Sequence, residues 1–241
     1  MAKTIAVMQP YVFPYLGYYQ LVNAVETFVF FDDVNFIMKG WINRNQILQN
    51  NEPFKFSIPL TKASQNKLIN ELMIADYPAW KSEFLKKIEQ GYKKAPHFEK
   101  IYTWLCSFLS IGYTHIGELA IESIQQISIL LSIPTTFQRA SSIDYDRVAA
   151  QTGQQKILNI CGRLSASSYI NPINGMDLYE PTGFSEKGVS LAFIKKDAIQ
   201  YEQFGEREFL PHLSIIDVLM FNGLDQTKLL LKKYSLITNT P

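Results

Sequence analysis

The chain has 241 residues, of which 47% are hydrophobic, and its 23 basic residues nearly balance its 22 acidic ones. This composition supplies ample apolar surface for a core and excludes a disordered chain. The balanced charge excludes an extended basic surface, so we expect no nucleic-acid partner. No apolar run reaches the roughly 18 residues of a membrane-spanning helix, so we expect no membrane insertion.

The N-terminal stretch predicts a β-α-β unit. An apolar run from Ile5 to Met8 indicates a strand, Leu16 to Val25 a helix, and Phe28 to Phe31 a second strand that ends at Asp32 and Asp33. Continuous apolar runs are typical of parallel strands that are buried on both faces. The crossover between such strands is expected to be right-handed.

The rest of the chain predicts further strands and helices around one sheet. Three helix patterns between residues 76 and 132 indicate a helical block that covers the sheet. Other predicted strands lie at 55–60, 71–75, 135–139, 168–170 and 189–195, and other helices at 153–164, 214–221 and 226–234, the last followed by a frayed end. We predict a single α/β domain over residues 1–241, with a doubly wound, mostly parallel sheet like that of nucleotidyltransferases and other HUP domains.

Two features of the sequence predict the cellular compartment. The apolar part of the N-terminal MAKTIAV is too short for a signal peptide. Cys106 and Cys161 lie far apart in the sequence, which is typical of a protein without a disulfide framework. We therefore expect a cytoplasmic protein.

Polar residues follow the first two predicted strands where each strand ends. Gln9 follows the first strand, and Asp33 follows the second. Ligands of open α/β sheets bind at the carboxyl ends of the strands, so we predict Asp33 as a general base and Gln9 as the group that orients a substrate amine or acyl carbonyl. The alternative is that Asp32 or Asp33 caps a loop or a helix.

A cluster of hydrogen-bond donors comes directly afterwards. Lys39 and Arg44 are predicted to hold a phosphate, and Trp41 between them is predicted to stack on a base or sugar. Asn43 and Asn45 add amide groups to the same predicted binding site. The alternative for the two cations is an ordinary solvated surface.

The start of the first helix is a predicted anion site. Tyr15, Gly17 and Tyr18 lie where free N–H groups and the helix dipole favour anions, although helix packing explains the glycine equally well. Doubly wound nucleotidyltransferases carry H-x-G-H here, and this chain has Tyr15 and Tyr18 at the two histidine positions. The sequence therefore argues against nucleotidyl transfer and leaves nucleotide binding open.

Ser141, Ser142, Tyr169 and Asn171 lie at later strand ends and could complete the same crevice. We predict that Tyr169, Gln203, Ser214 and Asp217 contribute to substrate binding. Ser214 and Asp217 also have the S-x-x-D spacing of a capping box, which is the alternative for that pair. The three histidines lack metal-ligand spacing, which predicts no metal site and surface or packing positions for His97, His115 and His212. A nucleophilic pair of His212 with Cys106 or Cys161 is a remote alternative. We predict no cofactor.

Several of these segments together resemble the WbqC-like family of bacteria. Residues 9–18 (QPYVFPYLGY) fit the family's Q-P-x-x-x-P-Y-x-G-Y opening, and residues 39–45 (KGWINRN) contain its W-x-N-R-N element. The remaining matches are Asp32-Asp33, Tyr201, Gln203, Phe204, Pro211, residues 213–217 (LSIID) and Asn222-Gly223. Residues 167–175 (SSYINPING) depart from the family, which more often has a glycine soon after the tyrosine. That departure argues against a phosphate role for this loop.

The resemblance implies an enzyme of O-antigen, lipopolysaccharide or other surface-polysaccharide biosynthesis. The implied activity is transfer of an acyl or aminoacyl (glycyl) group onto the amine of a nucleotide-linked amino sugar. The predicted partners are that sugar and an acyl or aminoacyl donor, such as a thioester on a carrier protein; the resemblance itself does not identify the donor. The alternatives are a nucleotidyltransferase and a sugar-nucleotide-binding protein without catalysis.

Overall fold

A six-stranded sheet forms the centre of the computed structural model, which describes residues 3–147, 150, 152–204 and 208–238. The strands are β1 (Lys3–Met8), β2 (Thr27–Phe30), β3 (Arg44–Gln49), β4 (Glu52–Ser57), β5 (Thr136–Arg139), β6 (Ala166–Pro172), β7 (Ser190–Lys196) and β8 (Tyr234–Thr238). The helices are α1 (Leu16–Asn23), α2 (Tyr77–Tyr92), α3 (Phe98–Ser110), α4 (Ile116–Leu130), α5 (Gly153–Arg163), α6 (Pro181–Ser185) and α7 (Ile215–Leu230).

The strand order β5-β2-β1-β6-β7-β8 defines the topology. Strands β5, β2, β1, β6 and β7 pair in parallel, and β8 pairs antiparallel with β7. Strands β2 and β5 lie on one side of β1, and the later strands β6, β7 and β8 lie on the other side. The predicted α/β class with a doubly wound, mostly parallel sheet is confirmed, and the order reverses between β1 and β6.

Both faces of the sheet are buried, which explains the continuous apolar runs. Ala6 and Phe28 belong to a core that includes α1, the helical block and α7. Ile5, Val7 and Val29 belong to a second core that includes α5 and α6. Because successive side chains of a strand point to opposite faces, a strand that is covered on both faces favours apolar residues at successive positions.

The predicted helical block is confirmed as α2, α3 and α4. Before it lies the β3–β4 hairpin, a separate two-stranded sheet. Its turn residues Asn50 and Asn51 have φ values of 53° and 60°. Two consecutive positive φ angles define a type I′ turn, in which asparagine is favoured. Asn50 and Asn51 therefore close the hairpin between β3 and β4.

Three predicted elements differ from the structure. Residues 71–75 form no strand: Ile69–Glu71 is a 3-10 turn, and Met73 and Ile74 make isolated bridges. Residues 55–60 are strand only as far as Ser57, the last residue of β4. After Leu230 the tail forms β8 where a helix and a frayed end were predicted, because pairing with β7 satisfies its backbone.

The predicted helix end at Asn222-Gly223 is a kink. Gly223 has a φ of 64°, and helical structure resumes after it as far as Leu230. None of the helices in the described ranges combines the length and apolar character needed to span a bilayer.

Candidate functional site

A cavity of about 520 Å³ lies where the strand order reverses. Met8 at the end of β1, Pro172 at the end of β6, and Ile194 and Lys196 at the end of β7 contribute to its wall. This crevice is where open α/β sheets bind ligands, and the volume suits a small molecule. The lining residues are Met8, Tyr11, Pro14, Tyr15, Gly17, Gln20, Trp41, Asn45, Gln46, Pro172, Ile173, Asn174, Ile194, Lys196 and His212.

The charge of this lining favours an anionic ligand. Among the described residues, Lys196 and His212 can carry a positive charge there, and no carboxylate lines the wall. Tyr11 and Tyr15 are the other titratable groups, and burial raises the pKa of both phenols, which keeps them neutral. A cation in a concave site free of acidic groups raises the local concentration of anions.

Lys196 and His212 form a close pair. The Lys196 Nζ lies 3.1 Å from His212 Nδ1, and the ring of His212 meets the Tyr15 ring edge-on with the centroids 6.1 Å apart. Burial lowers the pKa of His212, and the neighbouring charge of Lys196 lowers it further. Burial also lowers the pKa of Lys196. The imidazole is therefore held neutral at pH 7, as a base requires.

The first turn of α1 borders the same cavity. The ring of Tyr15 lies over Gly17, where a β-carbon would collide with it. No side chain caps the start of α1, and its first turn contains no acidic residue. The free N–H groups of this turn add partial positive charge to the wall near Gly17.

Aromatic and amide groups form the rest of the wall. Trp41 is 45% exposed, and the Lys55 Nζ lies 5.7 Å from the centre of its ring. Asn45 is buried, and its amide donates to the carbonyls of Val12 and Phe13, which fixes the turn after β1. The exposed indole face is available for stacking.

A smaller hollow of about 40 Å³ adjoins the main cavity. The two share Tyr15, Gly17, Gln20, Lys196 and His212, and the hollow extends to Ile199, Tyr201, Phe209 and other apolar side chains. Its size corresponds to a group of only a few heavy atoms.

Four of the predicted binding residues line the main cavity: Tyr15, Gly17, Trp41 and Asn45. Lys39 and Arg44 do not, because Lys39 lies in an exposed turn and Arg44 begins β3. The predicted phosphate clamp therefore does not form around the cavity. Asn43 is buried, and its amide donates to the Ile58 carbonyl.

Gln9, Tyr18 and Tyr169 also lie outside the lining. The Tyr18 hydroxyl donates to the backbone carbonyl of Gln9 at 2.9 Å, and its ring packs against Phe28 in the core. Tyr169 is fully buried, and its ring stacks on Phe184. The two tyrosines stabilise the strand ends that frame the cavity.

Asp33 lies at the end of β2, where it contacts the segment that follows β5. Its Oδ2 accepts from Tyr145 Oη at 3.0 Å and from Arg147 Nε at 2.7 Å. Asp32 accepts in the same way from the backbone and hydroxyl of Ser141. These contacts correspond to the capping alternative, and the general-base role of Asp33 stays a prediction.

The substitution Asp33→Asn separates the two interpretations. If Asp33 is structural, the variant loses about 1–3 kcal/mol of unfolding free energy in urea and keeps its turnover. Asp144→Asn, on a fully exposed side chain nearby, is the control. It should change neither the unfolding free energy nor the turnover. Loss of turnover without loss of stability would instead establish Asp33 as the base.

Gln203 and Asp217 belong to a buried hydrogen-bond network, and Ser214 begins the helix that carries Asp217. Asp217 is fully buried and accepts from Tyr92 Oη at 2.9 Å, Tyr201 Oη at 2.6 Å and Gln203 Nε2 at 2.9 Å. Burial raises the pKa of Asp217, and the three donors lower it. Ser214 caps α7 as predicted, but the carboxylate of Asp217 serves this network and does not complete a capping box.

This network fixes the segment that carries His212. The side chain of Gln203 makes two hydrogen bonds to the backbone of Leu210. Its Nε2 donates to the Leu210 carbonyl, and its Oε1 accepts from the Leu210 N–H. His212 follows two residues later with a left-handed φ of 63°. Residues other than glycine adopt this conformation in only a few per cent of cases, so we attribute it to the fixed ends of the segment.

The structure provides no support for cysteine or metal chemistry among the residues it describes. Cys161 is buried in the second core, and burial raises the pKa of its thiol to about 12. Such a thiol is inert as a nucleophile. Within the described ranges, no group of three or more His, Cys, Asp or Glu side chains could hold a metal ion.

Lys196 and His212 were not among the predicted site residues. Lys196 directly follows the predicted strand 189–195, so the rule that ligands bind at carboxyl strand ends would have identified it. His212 gave no such signal, because its place in the cavity depends on a loop that the buried Asp217 network fixes.

The fold and the cavity together define a doubly wound α/β protein with a cationic cavity at its topological switch point. The model of the WbqC-like protein family matches residues 9–229. The chain belongs to the WbqC-like protein family. It is also 27% identical over 226 residues to an uncharacterized protein, Rv1507c, of Mycobacterium tuberculosis; the match covers 92% of this chain and 95% of that protein. No solved structure matches the chain.

Proposed function

We propose that this protein is a transferase that binds a nucleotide-linked amino sugar in the switch-point cavity and transfers an acyl or aminoacyl group onto the sugar amine. The proposed setting is O-antigen or other surface-polysaccharide biosynthesis in the cytoplasm, in line with the expectation drawn for the family. The main support is the pairing of Lys196 with a neutral His212 in a cavity whose described lining contains no carboxylate.

Each part of the cavity has a role in this proposal. The Lys196 ammonium and the first turn of α1 hold the diphosphate. Trp41 stacks on the base or the sugar. The small hollow beside His212 holds the acyl group, and its size favours a short one.

The proposed reaction needs one base. Binding of the diphosphate draws Lys196 away from His212 and frees the lone pair on the imidazole. The neutral sugar amine attacks the carbonyl carbon of an acyl thioester, a C–N bond forms and the C–S bond breaks. His212 accepts the proton that the nitrogen loses and returns it to the departing thiolate, so the products are an amide and a thiol.

Calorimetric binding tests the acceptor half of this proposal. We expect Lys196→Met to weaken binding of a nucleotide-linked amino sugar by about tenfold or more, because a charged hydrogen bond contributes about 1.5–3 kcal/mol. Lys195→Met is the matched control, since Lys195 is the exposed neighbour on β7 and does not line the cavity. Equal affinities for the two variants would exclude Lys196 as the phosphate ligand.

A turnover assay separates the transferase from its alternatives. A free amine on the sugar should be required, and the N-acetylated sugar nucleotide should bind without reacting. Binding with no turnover for any acyl donor would favour a non-catalytic sugar-nucleotide-binding protein. Release of pyrophosphate from a nucleoside triphosphate and a sugar phosphate would favour nucleotidyl transfer.

A further inference from the structure

Three large apolar side chains are exposed on one turn at the mouth of the cavity. Ile37 is 54% exposed, Met38 48% and Trp41 45%. The turn is well defined: the Gly40 N–H donates to the Ile37 carbonyl, and Lys39 between them has a left-handed φ of 64°. Neighbouring exposed apolar groups of this size are typical of an interaction surface.

The segment of the chain around this turn is rich in basic residues. Residues 34–67 contain five basic residues and one acidic residue, although the whole chain is nearly neutral. The basic residues are Lys39, Arg44, Lys55, Lys62 and Lys67. Lys55 lies over the Trp41 ring, and the Lys67 carbonyl accepts from the Phe36 N–H beside Ile37. The one acidic residue, Glu52, lies at the opposite end of the hairpin, next to its turn.

This surface is continuous with the candidate site. Trp41 belongs to the exposed turn and also lines the cavity. A protein bound on Ile37, Met38 and the lysines therefore lies at the cavity mouth. Its charge has to be negative to complement the surface, and it needs an apolar contact for Ile37 and Met38.

We propose that this surface docks an acidic carrier protein that holds the acyl donor as a thioester on a flexible arm. The arm passes Trp41 and places the thioester carbonyl beside His212. This inference rests on the proposed transferase function and adds the form of its donor. Specificity for the carrier resides in Lys39, Lys67, Ile37 and Met38, outside the groups that bind the sugar nucleotide.

Charge reversal on the surface tests the proposal. The probe is an acyl carrier protein loaded with a glycyl group, compared with the same group on pantetheine. We expect Lys39→Glu combined with Lys67→Glu to raise KM for the carrier-bound donor by about tenfold or more, because each reversal places like charges across the contact. KM for the pantetheine thioester and Kd for the sugar nucleotide should stay unchanged.

A matched control uses lysines on the opposite layer. Lys156 lies on α5, and Lys187 follows α6. Lys156→Glu combined with Lys187→Glu changes the net charge by the same amount as the surface variant and should leave KM for the carrier unchanged. KM for the carrier should also rise with ionic strength in the wild type. Ile37→Ser combined with Met38→Ser removes the apolar contact without a charge change and should raise the same KM.

Each other outcome has a distinct meaning. Equal KM values for carrier and pantetheine donors, or no turnover with either, would overturn the proposal. A charge-reversal effect confined to a coenzyme A thioester would assign the surface to that smaller anion and also overturn it. Failure of the sugar nucleotide to bind would instead reject the proposed function itself, because the surface variants leave the cavity intact.

Discussion

Replacing His212 with glutamine is expected to lower kcat for acyl transfer by at least about 100-fold, because a positioned general base contributes about that much or more. The glutamine amide is similar in polarity to the imidazole but cannot accept a proton. The sugar nucleotide should still bind within a few-fold of the wild-type affinity, since Lys196 and the start of α1 remain. Turnover under saturating substrates is the measurement.

The pH dependence adds a second test of the same assignment. With His212 as the base, kcat/KM should fall as the pH drops through the imidazole pKa of the free enzyme, which burial and Lys196 hold below the ordinary value of 6.5. Lys196→Met removes the positive charge that lowers the His212 pKa. The fall in activity at low pH should therefore shift to higher pH in this variant. NMR titration of His212 gives the same pKa without turnover. His97→Gln and His115→Gln are controls outside the cavity, and an unchanged kcat in His212→Gln would reject the base assignment.

Removing the carboxylate of Asp217 is expected to cause the largest loss of stability. Asp217→Ala should cost about 3–5 kcal/mol of unfolding free energy, because Tyr92, Tyr201 and Gln203 all lose a buried acceptor. Urea unfolding followed by circular dichroism measures this loss. Asp225→Ala on the exposed side of α7 is the control and should cost less than about 0.5 kcal/mol.

If Asp217→Ala loses no more unfolding free energy than Asp225→Ala, the network does not stabilise the fold. Tyr201→Phe refines the result, since it removes one donor and leaves two. We expect it to cost less than Asp217→Ala and to lower kcat as well, because Tyr201 helps to hold the segment that presents His212.

The sheet was predictable because its strands are buried on both faces. An apolar run between turn residues marks such a strand without any knowledge of its neighbours, as in Ile5 to Met8. The helical block was equally clear from its apolar spacing. Strand β8 was not predictable, since four of its five residues are exposed and only the edge of β7 makes it a strand.

The site was predictable in place but not in its residues. The rule for strand ends predicted the edge of the sheet at which the candidate cavity lies, and Tyr15, Gly17, Trp41 and Asn45 line that cavity. Asp33 fitted the same rule but lies two strands from β6, in contact with the segment after β5. Which strand end borders the crevice depends on the strand order, and the order is set by packing between distant parts of the chain.

The pairing of β1 with β6 has a consequence for how the chain folds. Ile5 pairs with Tyr169, 164 positions later, although the two strands are immediate neighbours. During synthesis from the N-terminus, one edge of β1 stays without its partner until most of the chain has left the ribosome, and contacts of such high order form slowly. Lys196 and His212 emerge later still. The candidate cavity is therefore a late product of folding, assembled along the seam where the two halves of the sheet join.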